Sequence, residues 1–539
     1  MIRRLLALVA ALLLAAPAAA QELPRLVSAN GRHALFVDGA PYLMLGIQAN
    51  NSSNAVTMLP RVWPMAERLH ANTLEIPVAW EQIEPVEGQF DFTYVDALLA
   101  QARQHKLRLV LLWFATWKNG NGTYAPEWVK TDTARFPRNR SLTGSHHALS
   151  PFGKATLAAD KRAFAALMQH LKDRDKPNTV IMVQVENEAG TWGLARDHSP
   201  EADALFEGPV PDALVTKLGK QPGTWRQVFG KIADQAFSTW YTARYIDEIA
   251  AAGKAIKPLP MYCNSALSDP FTPEPDGAAT PSGGPNWNVI AIFRAAAPSI
   301  DLVAPDIYNR DWKTYLAYLD AYQRPDNALF VPETGNAIDY ARFFWPVVGR
   351  GAIGFSPFGM DGDDYSNYPL GAKSLDDATV EAFAANYRLF EPIAQIWAKL
   401  AFEHPGWGAA KGPDAAAQST VMGDWKVTAQ FEQWQFGEPE WTWQQVDPHP
   451  TKGKPLGGGL VLQLAPDEFL VAGSWVRLRF ALANPAKGQQ SQLLRVEQGS
   501  FDAAGNWVPH HVWNGDQIDY GLNFTDKPVL LKVRLNKWQ

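Results

Sequence analysis

From about residue 33 to residue 400, short apolar segments alternate with longer amphipathic ones, and the unit recurs eight times. Such a rhythm implies parallel strands joined by crossover helices, because a parallel pair cannot be closed by a tight turn. The strand segments are residues 42–47, 73–78, 108–113, 179–185, 259–264, 302–307, 328–332 and 352–357. Most are apolar on both faces, as strands sandwiched between an inner core and a layer of helices must be. Helices are expected between them at 60–70, 93–105, 154–173, 225–252, 291–297, 312–322 and 338–347, with a last one at 374–400. The Pro- and Gly-rich stretch 268–288 reads as a long loop. Eight such units suit a closed (β/α)8 TIM barrel, which needs about 250 residues or more.

The chain has 539 residues, so the barrel leaves a remainder. Beyond about residue 403 the apolar period shortens to two, at 425–431, 459–464, 469–482, 492–501 and 529–535. Turn signals such as Ala504-Gly505-Asn506 and Asn514-Gly515 separate these stretches, which reads as an antiparallel, sandwich-like β-domain. At the other end, Arg3 and Arg4 precede an apolar run from Leu5 to Leu14 and a small-residue stretch ending at Ala20. That is the pattern of a secretory signal peptide, and the run is too short to span a bilayer. The expected division is a signal peptide at 1–20, a catalytic barrel at 21–402 and a β-rich domain at 403–539. Export to the periplasm or beyond follows, with no membrane partner after cleavage.

The formal net charge of −6 lacks the basic excess expected of a nucleic-acid partner. Cys263 is the only cysteine, which rules out an intrachain disulfide and a cysteine-based metal site. The 21 Trp, 15 Tyr and 26 Phe supply either a large core or faces on which the apolar side of a sugar can stack. Oligomeric state is not legible at this level.

Function in such a barrel sits at the C-terminal ends of the strands. Strand four runs Val180-Ile181-Met182-Val183-Gln184-Val185 into Glu186-Asn187-Glu188, and strand seven runs Leu329-Phe330-Val331-Pro332 into Glu333. A carboxylate ending an apolar strand is costly to desolvate, so it serves an ion pair, a metal or catalysis. Cleavage of a glycosidic bond accounts for the pair economically. It needs one protonated carboxyl for the leaving oxygen and one ionised carboxylate at the anomeric carbon. Two structural carboxylates paired with Arg or Lys are the competing reading. No two His stand at ligand spacing near these carboxylates, which weighs against a metal; His146 and His147 are adjacent and read as a loop. Alternation along a strand puts Glu186 and Glu188 on one face and Asn187 on the other, and does not say which glutamate is the acid.

The run Gln184-Val185-Glu186-Asn187-Glu188-Ala189-Gly190 resembles the Gln-Ile-Glu-Asn-Glu-Tyr-Gly motif of the family 35 glycoside hydrolases, the β-galactosidases; family 42 β-galactosidases have a similar segment. The stretch Trp80-Glu81-Gln82-Ile83-Glu84-Pro85-Val86-Glu87-Gly88 is similar to the strand-two signature of these families, with Glu81 where family 35 has Asn. Pro332-Glu333 fits the strand-seven nucleophile of the wider clan, and Tyr308 fits its strand-six tyrosine. The sequel Thr334-Gly335-Asn336 differs from that of family 35 and points to a divergent branch. The tail resembles the small β-domain of a bacterial branch of that family.

The resemblance implies a retaining, exo-acting β-galactosidase that removes terminal β-galactose from oligosaccharides by double displacement, xyloglucan fragments among them. It implies Glu188 as general acid/base, Glu333 as nucleophile and Tyr308 as the hydrogen-bond partner of the nucleophile. Asn187 becomes a contact to the sugar 2-hydroxyl and Glu186 a supporting residue. Neither a metal nor a cofactor is expected. Candidate substrate contacts are Asn187, Glu186, Tyr308, Trp80, Glu81, Trp117 and Trp192; for each aromatic, core packing is the competing reading. Another β-glycosidase or endo-glycanase of the same clan, such as a β-glucosidase or β-mannosidase, or a barrel that only binds glycan, are the alternatives. The tail is expected to prop the barrel rather than to bind carbohydrate.

Overall fold

A computed structural model describes residues 22–272, 281–363 and 365–539. The expected signal peptide at 1–20 and the middle of the Pro- and Gly-rich loop lie outside these residues. Eight parallel strands close into a barrel: β1 (Met44–Gln48), β2 (Thr73–Ala79), β3 (Arg108–Lys118), β4 (Val180–Asn187), β5 (Met261–Ser265), β6 (Leu302–Ile307), β7 (Val331–Thr334) and β8 (Gly354–Pro357).

Two apolar layers explain why the strands lack a polar face. Val110, Leu112 and Phe114 of β3 point into the barrel with Ile181, Met182, Tyr262, Leu302 and Phe330. Their neighbours Leu109, Leu111 and Trp113 point outward to the helices. The helix Lys154–Arg174 meets that outer layer with Phe164, Leu167, Met168 and Leu171, one stripe of a 3.6-residue period. Leu35 and Val37, from the antiparallel pair Arg25–Ala29 and Arg32–Val37, seal the N-terminal end of the barrel. Only the opposite end is left to hold a cavity.

Several elements depart from expectation for local reasons. β3 and β4 run on to Lys118 and Asn187, where the two residues pair across the strands. β7 begins at Val331 rather than at residue 328. The helix expected over 225–252 is broken at Gly230, whose φ of +57° with ψ of −125° is a combination that glycine alone adopts readily. The helix expected over 374–400 is two helices, Asp377–Phe390 and Ala394–Glu403, with the break at Glu391–Ile393. Pro392 in that turn lacks the N–H that would continue the helix.

The tail forms a six-stranded and a four-stranded antiparallel sheet. In the strand Gly458–Ala465, Leu460 and Leu462 face the barrel helices while Val461 faces the second sheet. Leu470 and Ala472 against Phe469 and Val471 repeat the pattern on the next strand. These two strands are thus buried on both faces, and one of the faces continues the barrel core. Glycines permit the contact: a Cβ on Gly408 would stand 2.3 Å from the Trp345 carbonyl oxygen, and one on Gly349 would stand 2.6 Å from that of Trp407.

Candidate active site

A cavity of about 610 Å³ opens at the C-terminal ends of the strands, lined in part by Lys118, Glu188, Trp192, Asp306, Tyr308 and Glu333. Glu333, the penultimate residue of β7, has its side chain in the mouth. Its Oε1 accepts from the Tyr308 hydroxyl at 2.5 Å, and its Oε2 accepts from Gln48 Nε2 at 3.0 Å. Tyr308 follows β6, and its own carbonyl accepts from the Tyr340 hydroxyl, which fixes the turn. One donor on each oxygen fixes the orientation of the carboxyl group.

Glu188 lies just beyond β4, partly accessible from the cavity. Its backbone N–H donates to Asn264 Oδ1 at 2.9 Å. Burial, and then the charge of Glu333, push its carboxyl up to about 7, against the opposing pull of the Lys118 ammonium and a hydrogen bond with Asp306. Oxygens of Glu188, Asp306 and Glu333 lie within 4.8 Å of one another. Among the described residues these three carboxyls are the group close enough to share a cation. The Lys118 ammonium already offsets charge on Glu188 and Asp306.

Alternation fails at the end of β4. Glu186 and Glu188 have φ of +64° and +43°, left-handed values that re-aim successive side chains. Glu186 consequently does not share a face with Glu188. Its carboxyl lies against β3, accepting from the backbone N–H groups of Thr116 at 3.3 Å and Trp117 at 2.7 Å. Burial, and then the neighbouring Asp160, raise it well above the usual carboxyl range. Asp160 accepts from Trp113 Nε1 at 2.9 Å and Thr116 Oγ1 at 2.6 Å. Glu186 therefore braces β3 rather than lining the cavity. Asn187 is buried beside the cavity, its Oδ1 accepting from Gln184 at 2.9 Å and Asn264 at 3.0 Å, and its Nδ2 donating to Asn119 at 3.2 Å.

Of the aromatic candidates, Trp192 and Tyr308 line the cavity, and Trp192 is 43% exposed. Trp80 does not: it is fully buried, donates to Glu84 Oε2 at 3.0 Å and packs edge-on against Trp128. Trp117 is buried too, donating to the Leu149 carbonyl at 3.1 Å and packing on Tyr245. Both point into the layer between strands and helices, where a large ring has neighbours on every side. Glu81 sits away from the cavity lining in an ion pair with Lys130 at 2.8 Å. His146 lies on the strand Gly144–Leu149 rather than in a loop, and its Nε2 meets the Trp192 carbonyl at 3.0 Å.

Sequence reasoning missed Gln48, Lys118, Asn264 and Asp306. Each is a polar residue at or near the C-terminal end of an apolar barrel strand. Asp306 also stands two residues before Tyr308, a spacing that shares one face of a strand.

Residues 61–255 match the family model of the family 42 glycoside hydrolases, described as β-galactosidase. Residues 383–525 match a model described as a domain of unknown function. A curated β-galactosidase from Xanthomonas manihotis is 30% identical over 270 residues, 43% of this chain and 41% of that protein. The chain thus spans about two fifths of the length of that curated relative. A cold-adapted β-galactosidase from Rahnella sp. R3 superposes with a TM-score of 0.46 at 14% identity, covering 67% of this chain and 61% of that one. A β-galactosidase from the psychrophilic Marinomonas ef1 does so at 0.47 and 11%, covering 67% and 62%. Family 35, placed first on the strand-four motif, is not the family whose model matches. The barrel portion of this chain is similar to the β-galactosidases among the glycoside hydrolases.

Proposed function

We propose that this protein is a retaining, exo-acting β-galactosidase that removes terminal β-galactose from oligosaccharides by double displacement. The observation that carries the reading is the pair Glu188 and Glu333, with oxygens within 4.8 Å across one cavity, the first carboxyl pushed up to about 7 and the second held by Tyr308 and Gln48. A retaining enzyme needs its carboxyls about 5–5.5 Å apart, and an inverting one about 6.5–9.5 Å to admit a water.

Glu333, held by Tyr308 and Gln48, attacks the anomeric carbon as a carboxylate. Glu188, with its carboxyl pushed up to about 7, carries the proton that goes to the leaving oxygen. Esterification of Glu333 removes the charge that raised Glu188, so Glu188 then accepts a proton from the attacking water. Trp192 at the cavity edge offers a face for the sugar.

The galactose preference rests on the similarity to β-galactosidases. Xyloglucan fragments with terminal β-galactose are a substrate class that suits an exported enzyme, with the signal peptide at 1–20 directing it to the periplasm or beyond. The barrel at 21–402 carries the chemistry, and the β-rich domain at 403–539 props it.

Hydrolysis of p-nitrophenyl β-galactoside against the β-glucoside, β-mannoside and α-arabinoside tests the reading, with Glu188→Ala as control. Preferential galactoside turnover that the variant loses is the expected result. Turnover of another glycoside in preference, or of none by folded protein, would overturn the assignment.

A further inference from the structure

The double displacement leaves one cavity carboxyl without a role. Asp306, the penultimate residue of β6, stands directly beside Glu333 in the strand register and is 4% exposed. Its Oδ2 accepts from Asn264 Nδ2 at 2.7 Å, while its Oδ1 is buried without a hydrogen-bond donor among the described residues. An ionised carboxylate oxygen so placed is costly. The carboxyl of Glu188 stands beside that of Asp306 in the cavity wall, with oxygens of the two within 4.8 Å. Two carboxyls can bond to each other only when one of them carries a proton.

The surroundings decide which form persists. Glu333, Glu188 and Glu75 face Asp306 and each raises it when ionised, against the ammonium of Lys118; Glu75 is itself pushed towards its neutral form by burial. The phenols of Tyr262, Tyr308 and Tyr322 and the thiol of Cys263 complete the titratable groups around it, each held neutral by burial first. Burial, and then the charges of Glu333 and Glu188, raise Asp306 well above the ordinary carboxyl range. Asn264 ties the pair together, since it donates to Asp306 and accepts from the backbone of Glu188.

We propose that Asp306 stays protonated through the catalytic cycle and donates a hydrogen bond to Glu188, as a positioning residue that orients the acid/base carboxyl and steadies its anion once the leaving oxygen has taken the proton. The proton of Asp306 itself is not transferred. The positioning role rests on the glycosidase reading of Glu188; the proton on Asp306 does not.

The test has two arms on the full chain. The infrared difference spectrum between wild type and Asp306→Asn at neutral pH should show the carbonyl stretch of one protonated carboxyl, lost in the variant. A band of an ionised carboxylate in its place would overturn the proposal. In kinetics on the aryl β-galactoside, Asn at this position keeps an acceptor for Asn264 and a donor for Glu188. It should hold kcat/KM within about threefold of wild type, while Asp306→Leu loses at least about tenfold. The alkaline limb of kcat/KM should move to higher pH in Asp306→Leu and stay in place in Asp306→Asn, because the lost hydrogen bond favoured the ionised form of Glu188. A loss in Asp306→Asn as deep as in Asp306→Leu, or an unmoved limb in a folded Asp306→Leu, would overturn it. Should Asp306→Leu fail to fold, the spectrum and the kinetics of Asp306→Asn decide. Failure of wild type to turn over any glycoside would instead sink the functional reading, and the positioning role with it.

Discussion

Replacing Tyr308 with Phe removes one hydroxyl and nothing else from the cavity. That hydroxyl donates to Glu333 Oε1 at 2.5 Å, and its loss leaves Gln48 at 3.0 Å as the remaining side-chain donor among the described residues. A hydrogen bond to a charged group contributes about 1.5–3 kcal/mol, and each 1.4 kcal/mol is about a factor of ten. Tyr308→Phe is therefore expected to lower kcat/KM roughly 10- to 100-fold. The ring still lines the cavity, so the loss should fall mainly on kcat, as it does when an interaction serves the transition state more than the ground state. Initial rates on the aryl galactoside, beside a thermal melt to confirm folding, measure both quantities. A folded variant with less than about a threefold loss would mean that the hydroxyl does not orient a charged nucleophile. A loss as complete as that of Glu333→Ala would mean that the hydroxyl takes part in the chemistry itself.

Activity should fall as pH rises through about 7, because Glu188 must be protonated to donate; a pH profile of kcat/KM shows the limb. The same group bears on stability. Its folded pKa is raised from 4.5 to about 7, so its stabilising contribution is full below pH 4.5 and lost as pH rises through about 7. Glu188→Gln, which cannot ionise, should melt higher than wild type above that pH, by up to about 3 kcal/mol, with no such gain in acid. Trp192→Ala should raise KM while leaving the melt nearly unchanged, whereas the buried Trp117→Ala should cost about 3–5 kcal/mol of stability. Gly408→Ala should lower the melting temperature by forcing the tail sheet off the helix Phe344–Gly349, at a cost of about 1–3 kcal/mol. Equal melts of Gly408→Ala and wild type would show that the close contact with Trp345 carries no stability.

The barrel was readable because its strands are apolar on both faces and its helices are not, a difference that survives in one dimension. Strand ends were less readable. β3 and β4 continue to Lys118 and Asn187, since polar residues at a barrel mouth remain in register after the apolar pattern has stopped. Glu186 and Glu188 escaped the alternation rule through two left-handed residues, and nothing local in Val185-Glu186-Asn187 announces them. Trp80 and Trp117 were equally compatible with a sugar platform and with the core, because an indole has the same composition in either place. Asp306 reads as part of an apolar strand, although its two-residue spacing from Tyr308 is the spacing of one strand face. The role of Glu188 over Glu186 came from resemblance, and the geometry that separates them is three-dimensional.

The central claim is that Glu333 attacks the anomeric carbon, and a trapped glycosyl-enzyme tests it most directly. Incubation with 2-deoxy-2-fluoro-β-galactosyl fluoride slows both steps, and peptide mass spectrometry then locates the sugar. One fluorogalactosyl group on Glu333, with none on Glu188 or Asp306, is the predicted result. A label on another carboxyl, or inactivation without any covalent sugar, would contradict the account.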